Sequence, residues 1–439
     1  MVVPFAQCVA RPDEGETRHL LIHHLVRVAN AAGAPDGSTN DRLAFLAGLL
    51  HDAAKCHVEW QEYIDPTTSR KKGPPHSPMG AALFTFAAER LIPIWHSDRQ
   101  ERLVARDRML NWLMAINGHH GRLGDFHGMS LPWMKILSRY SVRNLAAGCD
   151  LAGVFELVQR SFPEFQAVAE EFTDWLDDFD RSWVKLVVNI RPKVLERNTP
   201  HELAMRFPLD VSRLIIADRI DAGSLADDYL QQPAAVEAIK SHSLYCNQQA
   251  TEAIVKGASP EMVELRSTIQ HDALGKYREC PRDRFFTLLL PTGYGKTLTS
   301  LRIALESVVV GVSKRIIYVA PYLSILSQAA NQLATATRID VFQHHHLSLA
   351  AMASNGVEAT DDGQAAFSSD SDDDFEILDT WKFPILATTF NQFFRALFPA
   401  RAQHTLRIDA VRKSFIIIDE PQIIDIGVWN LFLRALSVF

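Results

Sequence analysis

Imidazole and carboxylate side chains recur through the first half of the chain, at the ends of apolar helical runs or in the loops beside them. They are His24 in LLIHHLVRVA, the adjacent His51 and Asp52 in LLHDAAK, His76 in PPHSPMGAA, His119 and His120 in NGHHG, and Asp218 in LIIADRIDA. A carboxylate buried on such a run without a partner costs several kcal/mol, so a basic side chain, an imidazolium or a metal ion must stand beside Asp52. Adjacent residues on a helix project about 100° apart, so His51 and Asp52 cannot both aim at one ion. A carboxylate has two oxygens, however, and Asp52 can bridge two ions while His51 faces one of them. Two ions about 3.5 to 4 Å apart would activate a shared water and stabilise both the attacking and the leaving oxygen of an in-line displacement. Lys55, three residues after Asp52, falls on the same face, where it can balance charge or touch a phosphate; a surface lysine is the plain alternative. Arg122, just after the double His, is a further candidate phosphate contact.

A second set of residues belongs to nucleotide chemistry. FFTLLLPTGYGKTLTS reads as a strand, a Gly-containing loop and a helix. The longer phosphate-binding pattern G-x-x-x-x-G-K-[ST] would need a glycine where Leu290 stands, and the stretch fits the shorter form P-T-G-x-G-K-T instead. With Thr292 in the turn, Gly293 and Gly295 let the backbone close on phosphates, Lys296 reaches the β- and γ-phosphates, and Thr297 binds Mg²⁺. SFIIIDEPQII supplies a matching strand that ends in Asp419, for Mg²⁺, and Glu420, to orient an attacking water. Gln270, about twenty residues ahead of the loop glycine, resembles in position the helicase Q-motif, which implies that it reads adenine, with a helix-surface glutamine as the alternative. The run His344, His345, His346 has no accompanying carboxylate pattern, and adjacent strand residues alternate faces, so a loop or sheet-end role is expected.

The elements that must hold these groups follow two grammars. From about residue 17 to 230 apolar positions recur every three or four residues, and LLIHHLVRVANAA, LAFLAGLLHDAA, MGAALFTFAAERL and LDVSRLIIADRIDA read as helices, the His51-Asp52 pair included. From 285 onward the short apolar blocks FFTLLL, RIIYVA, FPILATT and SFIIIDE alternate with helical stretches, which predicts buried parallel strands. The expected domains are 1–235, a linker at 236–260, and 261–439, with a solvated acidic insert near 354–376. At 439 residues the chain is too long for one core, and 47% apolar with 22% charged residues is the composition of a soluble globular protein. No run reaches the length of a membrane span and the N-terminus lacks the features of a secretion signal, so neither insertion nor secretion is expected. Five scattered Cys without a C-x-x-C exclude a disulfide framework and a Cys-type zinc site, and a cytoplasmic location is expected. A net charge of −7 argues against nucleic-acid binding through bulk charge and leaves room for a local basic groove; Arg70, Lys71 and Lys72 read as a solvated face.

Taken in order, the first set resembles an HD-type phosphohydrolase. More narrowly, it is similar to the nuclease domain of the CRISPR-associated helicase-nucleases of type I interference systems. The matching features are a His opening HLVRVA, the His51-Asp52 pair, a His before a small-residue helix, a double His after an apolar helix, and an Asp near the domain's end. The second set resembles the opening of a superfamily 2 DExD/H-box helicase, departing from its box at Pro421 and Gln422. VAPYLSILSQ and ATTFNQFFRALF match in position the strand-contacting motifs Ia and Ic, whose contacts are largely to the backbone and hence sequence-independent. Fusion of the two sets is the specific feature, and it covers the chain from His24 to about Asp425.

The resemblance implies an α-helical HD-type phosphohydrolase domain followed by an incomplete α/β RecA-like domain with a parallel sheet. Carried over residue by residue, one ion is held by His24, His51, Asp52 and Asp218 and the second by Asp52, His76, His119 and His120, with His51, Asp52 and Lys55 in the catalytic role. His23 is the rival to His24, and Asp221 to Asp218. Mixed imidazole and carboxylate ligands suit Mn, Fe, Co, Ni or Zn better than Mg or Ca. The implied partners are single-stranded DNA and an RNA-guided surveillance complex, with sequence read by the guide; ATP and Mg belong to the helicase lobe. The chain ends at Phe439 without a second ATPase lobe, which carries the arginine that stabilises the transferring phosphate, so ATPase and helicase activity are not expected of it alone. Two other readings remain: an HD phosphohydrolase acting on small nucleotides, and a fragment that binds strands or docks to the surveillance complex without cleaving.

Overall fold

Two helix starts in the first half are set by side-chain caps. Ser38 accepts from the Asp41 N–H to begin the helix Thr39–Leu50, and Asp98 accepts from the N–H groups of Gln100 and Glu101 to begin the helix Arg99–Gly118. The computed structural model describes residues 2–12, 19–70, 73–121, 123, 142–176, 200–223, 229–291, 293–345 and 380–438. Lys71, Lys72, Arg122, Thr292, His346 and the acidic stretch 354–376 lie outside the described residues. The chain divides into two compact units, Met1–Ser224 with Pro399–Thr405, and Leu225–Phe398 with Leu406–Phe439.

The first unit is helical. Its main elements are α1 (Leu21–Ala32), α2 (Thr39–Leu50), α3 (Val58–Ile64), α4 (Ser77–Trp95), α5 (Arg99–Gly118) and α6 (Pro200–Gly223). Leu25 and Val28 of α1, Leu43 and Leu46 of α2, Phe84 of α4 and Trp112 of α5 are fully buried, the interior stripe that the helical spacing predicts. A buried polar cluster fixes three helices against one another. Asp210 of α6 accepts from Asn40 of α2 at 3.0 Å and from Asn111 and Arg108 of α5 at 3.2 Å each. Trp112 completes it by donating Nε1–H to Asn40. The residues after the double His are held by main-chain bonds within the same unit, Ala402 N–H to Gly121 O and Leu123 N–H to Ala400 O.

One expectation is corrected here. The His51-Asp52 pair was expected on a helix, but α2 ends at Leu50; His51 caps it, and Asp52, at φ −113° and ψ 7°, begins a short 3₁₀ turn over Ala53–Cys56. Leaving helical geometry removes the 100° separation that would have kept the two side chains apart.

The second unit contains α7 (Gln232–Val255), α8 (Pro260–Glu279), α9 (Lys296–Val309), β1 (Arg315–Ala320), α10 (Leu323–Thr337), β2 (Val341–His344), β3 (Ile385–Thr389), α11 (Phe390–Leu397) and β4 (Ser414–Ile418). The four strands form a parallel sheet in the order β2-β3-β1-β4, with Ile316 opposite both Ile385 and Phe415. Every residue of β1 is buried, as its unbroken apolar run requires of a central parallel strand. Much of the stretch expected as a linker, 236–260, is instead helical. Ala235, Ala238 and His242 of α7 are buried, and His242 bonds the Leu298 carbonyl of α9.

FFTLLL, expected as a strand, joins no ladder among the described residues and leads as irregular backbone into the glycine loop. An apolar run becomes a strand only where a neighbour's free edge takes up its main-chain groups, and Phe285, Phe286 and Leu289 remain 55%, 43% and 87% exposed. Among the described residues, no helix is long and apolar enough to cross a membrane.

Candidate metal centre

The turn at Asp52 brings its carboxylate between two groups of side chains. On one side, Asp52 Oδ2 lies 3.5 Å from His24 Nε2 and 3.5 Å from His51 Nε2, and both nitrogens lie 3.5 Å from Asp218 Oδ1. On the other, Asp52 Oδ1 lies 3.0 Å from His76 Nε2 and 3.3 Å from His119 Nε2, and His76 Nε2 lies 3.0 Å from His120 Nε2. In each group the ligand atoms fall within 4.8 Å of one another. Donors about 2.0 to 2.2 Å from a common ion stand about 3 to 3.5 Å apart, which is the spacing found here.

The candidate ligands come from five separate helices or their ends. His24 sits on α1, His51 at the end of α2, His76 at the start of α4, His119 and His120 just past the end of α5, and Asp218 on α6. The crowding needs a glycine. A Cβ on Gly80, in the first turn of α4, would lie 2.4 Å from the His51 carbonyl oxygen, so only glycine lets α4 approach.

Whether these residues suit a metal is testable on their unfilled valences. The Nε2 atoms of His24, His51 and His119 and both oxygens of Asp52 are buried and make no hydrogen bond, an arrangement that costs free energy unless a cation meets them. Lys55 supplies part of that charge, with Nζ 2.6 Å from Asp52 Oδ2. Burial pushes the Asp52 carboxyl up, but Lys55, His51 and His76 outweigh it and hold the group well below the usual carboxylate range. Asp218 is likewise held low, its burial outweighed by His51. Burial lowers the affinity of His24 for a proton, and the hydrogen bond to Asp221 together with the nearby Asp52 carboxylate overcomes it, raising its pKa to about 9. His76 is shifted the other way, burial lowering it despite Asp52, and its ring packs edge-on to Trp60 with centroids 4.7 Å apart.

Of the two rivals, His23 is not in either group, and Asp221 contacts His24 through Nδ1, on the side away from the centre. The sequence reading missed Asp210, whose buried cluster holds α2, α5 and α6 in register. Its only signal was a second aspartate two helical turns before Asp218 on an otherwise apolar face.

In the second unit the nucleotide residues converge on the carboxyl ends of the strands, where open α/β sheets bind ligands. Gly293 and Gly295 have φ of 84° and 80°, the left-handed region that only glycine enters freely. Lys296, at the first turn of α9, lies 3.4 Å from Glu420, and Tyr318 of β1 donates its hydroxyl to Asp419 at 2.7 Å. Glu420 itself is at φ 51°, a strained value for a side-chain-bearing residue and one that clusters at functional sites. The Gln270 amide nitrogen is 2.7 Å from where a Cβ on Gly295 would lie, so Gln270 rests against the loop. His344 ends β2, buried with its ring 5.5 Å from that of Trp381.

Comparison with known proteins follows the same division. Residues 240–421 match the family described as type III restriction enzyme, res subunit. The CRISPR-associated nuclease/helicase Cas3 of Haloferax volcanii is 25% identical over 480 residues, covering 97% of this chain and 47% of that protein. Solved structures of T. fusca Cas3 are similar at lower identity. The ADP form is 18% identical with a TM-score of 0.41, over 97% of this chain and 47% of that one. The AMPPNP form is 17% identical with a TM-score of 0.42, over 96% and 47%. The chain is thus similar to Cas3 along nearly its whole length, and it spans about half the length of the relative it matches.

Proposed function

We propose that the first unit is an HD-type, metal-dependent nuclease that hydrolyses phosphodiester bonds of single-stranded DNA, and that its natural substrate is the strand displaced by an RNA-guided surveillance complex. The observation that carries this reading is the division of Asp52, one oxygen toward His24, His51 and Asp218 and the other toward His76, His119 and His120. Two divalent transition ions, Mn, Fe, Co or Ni, would supply an activated water and charge stabilisation for an in-line displacement. The chain's own residues do the rest. Asp52 holds both positions at a fixed separation, and the buried imidazoles, turned inward by their Nε2 atoms, define a dry floor against which a backbone phosphate is oriented. Lys55, 15% exposed beside Asp52, is a cation that can move from the carboxylate to a phosphate oxygen.

The second unit supports nucleotide binding, with Gly293, Gly295, Lys296 and Thr297 around phosphates, Asp419 and Glu420 toward Mg²⁺ and water, and Gln270 against the loop. Helicase activity is named for the longer relatives and is proposed here only for a protein of that full length.

The test is cleavage of circular single-stranded DNA by metal-stripped protein, with Mn²⁺, Co²⁺, Ni²⁺ or Mg²⁺ returned and no ATP, beside Asp52→Ala. Cleavage with the transition ions, lost in Asp52→Ala, supports the reading. Two bound ions without cleavage of any strand would sink it and favour a docking role; hydrolysis confined to free nucleotides would identify a small-molecule phosphohydrolase.

A further inference from the structure

Each imidazole of the first ligand group points Nε2 at the centre, and in each the other ring nitrogen is already engaged. His51 Nδ1 faces the Gly48 carbonyl at 2.9 Å, a neutral main-chain acceptor one turn back on α2. His119, which belongs to the second group, does the same with Ile116. His24 cannot use that solution, because it lies inside α1, where the carbonyls of the preceding turn are taken by the helix itself. Its Nδ1 reaches across to Asp221 Oδ2 of α6 at 2.7 Å. Arg27, three residues beyond His24 on the same face of α1, closes the arrangement. Its Nε donates to Asp221 Oδ1 and its Nη2 to Oδ2 at 3.1 Å, so the carboxylate is gripped as a fork.

An ionised carboxylate accepts and cannot donate. The proton on His24 Nδ1 is therefore retained whatever happens at Nε2, and the ring cannot flip without breaking the contact. Asp221 stands three residues after Asp218, so one face of α6 presents a carboxylate to each nitrogen of the same imidazole, Asp218 at 3.5 Å from Nε2 and Asp221 at Nδ1. Among the described residues, no hydrogen bond from a carboxylate backs an imidazole of the second group in this way; His76 and His120 face each other through Nε2.

We propose that Asp221, gripped by Arg27, is a positioning residue that orients His24, and that it selectively strengthens metal binding at the His24–His51–Asp52–Asp218 position. The inference rests on the two-ion reading of the centre. Outer partners of this kind are typically worth about ten- to a hundred-fold in metal affinity.

The experiment is calorimetric titration of the metal-free full chain with Mn²⁺, comparing wild type with Asp221→Leu, Asp221→Glu and Asp218→Ala. Asp218→Ala identifies which of the two binding events belongs to the first position. The expected result is a ten- to hundred-fold loss in Asp221→Leu at that event alone, with the other unchanged and with affinity regained in Asp221→Glu. Equal weakening of both events would mean a general packing role and overturn the proposal, as would no change in either. If the wild type binds only one ion, the two-ion reading fails; the role of Asp221 is then supported if Asp221→Leu weakens that ion and overturned if it does not.

Discussion

At the scale of single residues, the ion pair of Asp52 and Lys55 should respond to metal. Lys55 Nζ, 2.6 Å from Asp52 Oδ2, is the nearest permanent cation to a carboxylate that is 1% exposed. Removing one partner of a buried pair typically costs about 3 to 5 kcal/mol, and the partial exposure of Lys55 reduces that to about 2 kcal/mol. Lys55→Met should therefore be less stable by about 2 kcal/mol in urea unfolding with chelator present. The gap should close when Mn²⁺ is added, because ions at the centre then neutralise Asp52. A deficit of the same size with and without metal would show that Lys55 acts through packing against Trp60, over whose ring its Nζ lies at 5.5 Å. The side chains gathered here were legible in the sequence because imidazoles and carboxylates are conspicuous among apolar neighbours. Their partners were not. Asp221 on α6 was visible only as a rival to Asp218 and Arg27 on α1 only as an exposed cation, and nothing in the one-dimensional pattern distinguishes an outer hydrogen bond to His24 from solvation.

At the scale of elements, the centre depends on how closely helix ends approach. A methyl at Gly80 would meet the main chain of Leu50 and His51 at 2.7 and 2.4 Å, and since backbone cannot swing aside, α4 must move away from the end of α2. Gly80→Ala should cost about 1 to 3 kcal/mol and weaken both metal positions together, since His76 leads α4 and His51 ends α2. Thermal unfolding and Mn²⁺ titration of one preparation would check both; loss of stability with intact metal affinity would refute the geometric link. Asp210→Ala tests the register of the same helices. It leaves Asn40, Asn111 and Arg108 without their common acceptor, so about 2 to 4 kcal/mol should be lost in urea unfolding. The helices themselves followed from three- and four-residue spacing, and β1, β3 and β4 from their apolar runs. What failed was context. FFTLLL has the composition of a strand but no ladder among the described residues, and β2, three half-buried residues and the buried His344 at a sheet edge, is too short to announce itself. The helix end at His51 is equally silent, because Asp52, Ala53 and Ala54 would all tolerate another turn, and it is this interruption that lets both members of the pair face one point.

At the scale of the whole molecule, the two chemistries are separable in the chain. All seven metal-centre residues lie within Met1–Ser224, and the nucleotide residues from Gln270 to Glu420 all lie in the other unit. Neither group of side chains borrows a residue from the other, so each site should survive the loss of its neighbour. Lys296→Ala removes the only side chain of the glycine loop that carries a full positive charge to the phosphates. It should weaken binding of a fluorescent ATP analogue by at least about tenfold, the cost of one charge-assisted contact. The same protein, given Mn²⁺ and free circular single-stranded DNA without ATP, should cleave at the wild-type rate, while Asp52→Ala should bind the analogue normally and cleave nothing. A matched fall in cleavage for Lys296→Ala would mean that the nucleotide loop acts on the metal centre even with no nucleotide bound. The division of labour argued from the residues would then have to give way to a coupled machine.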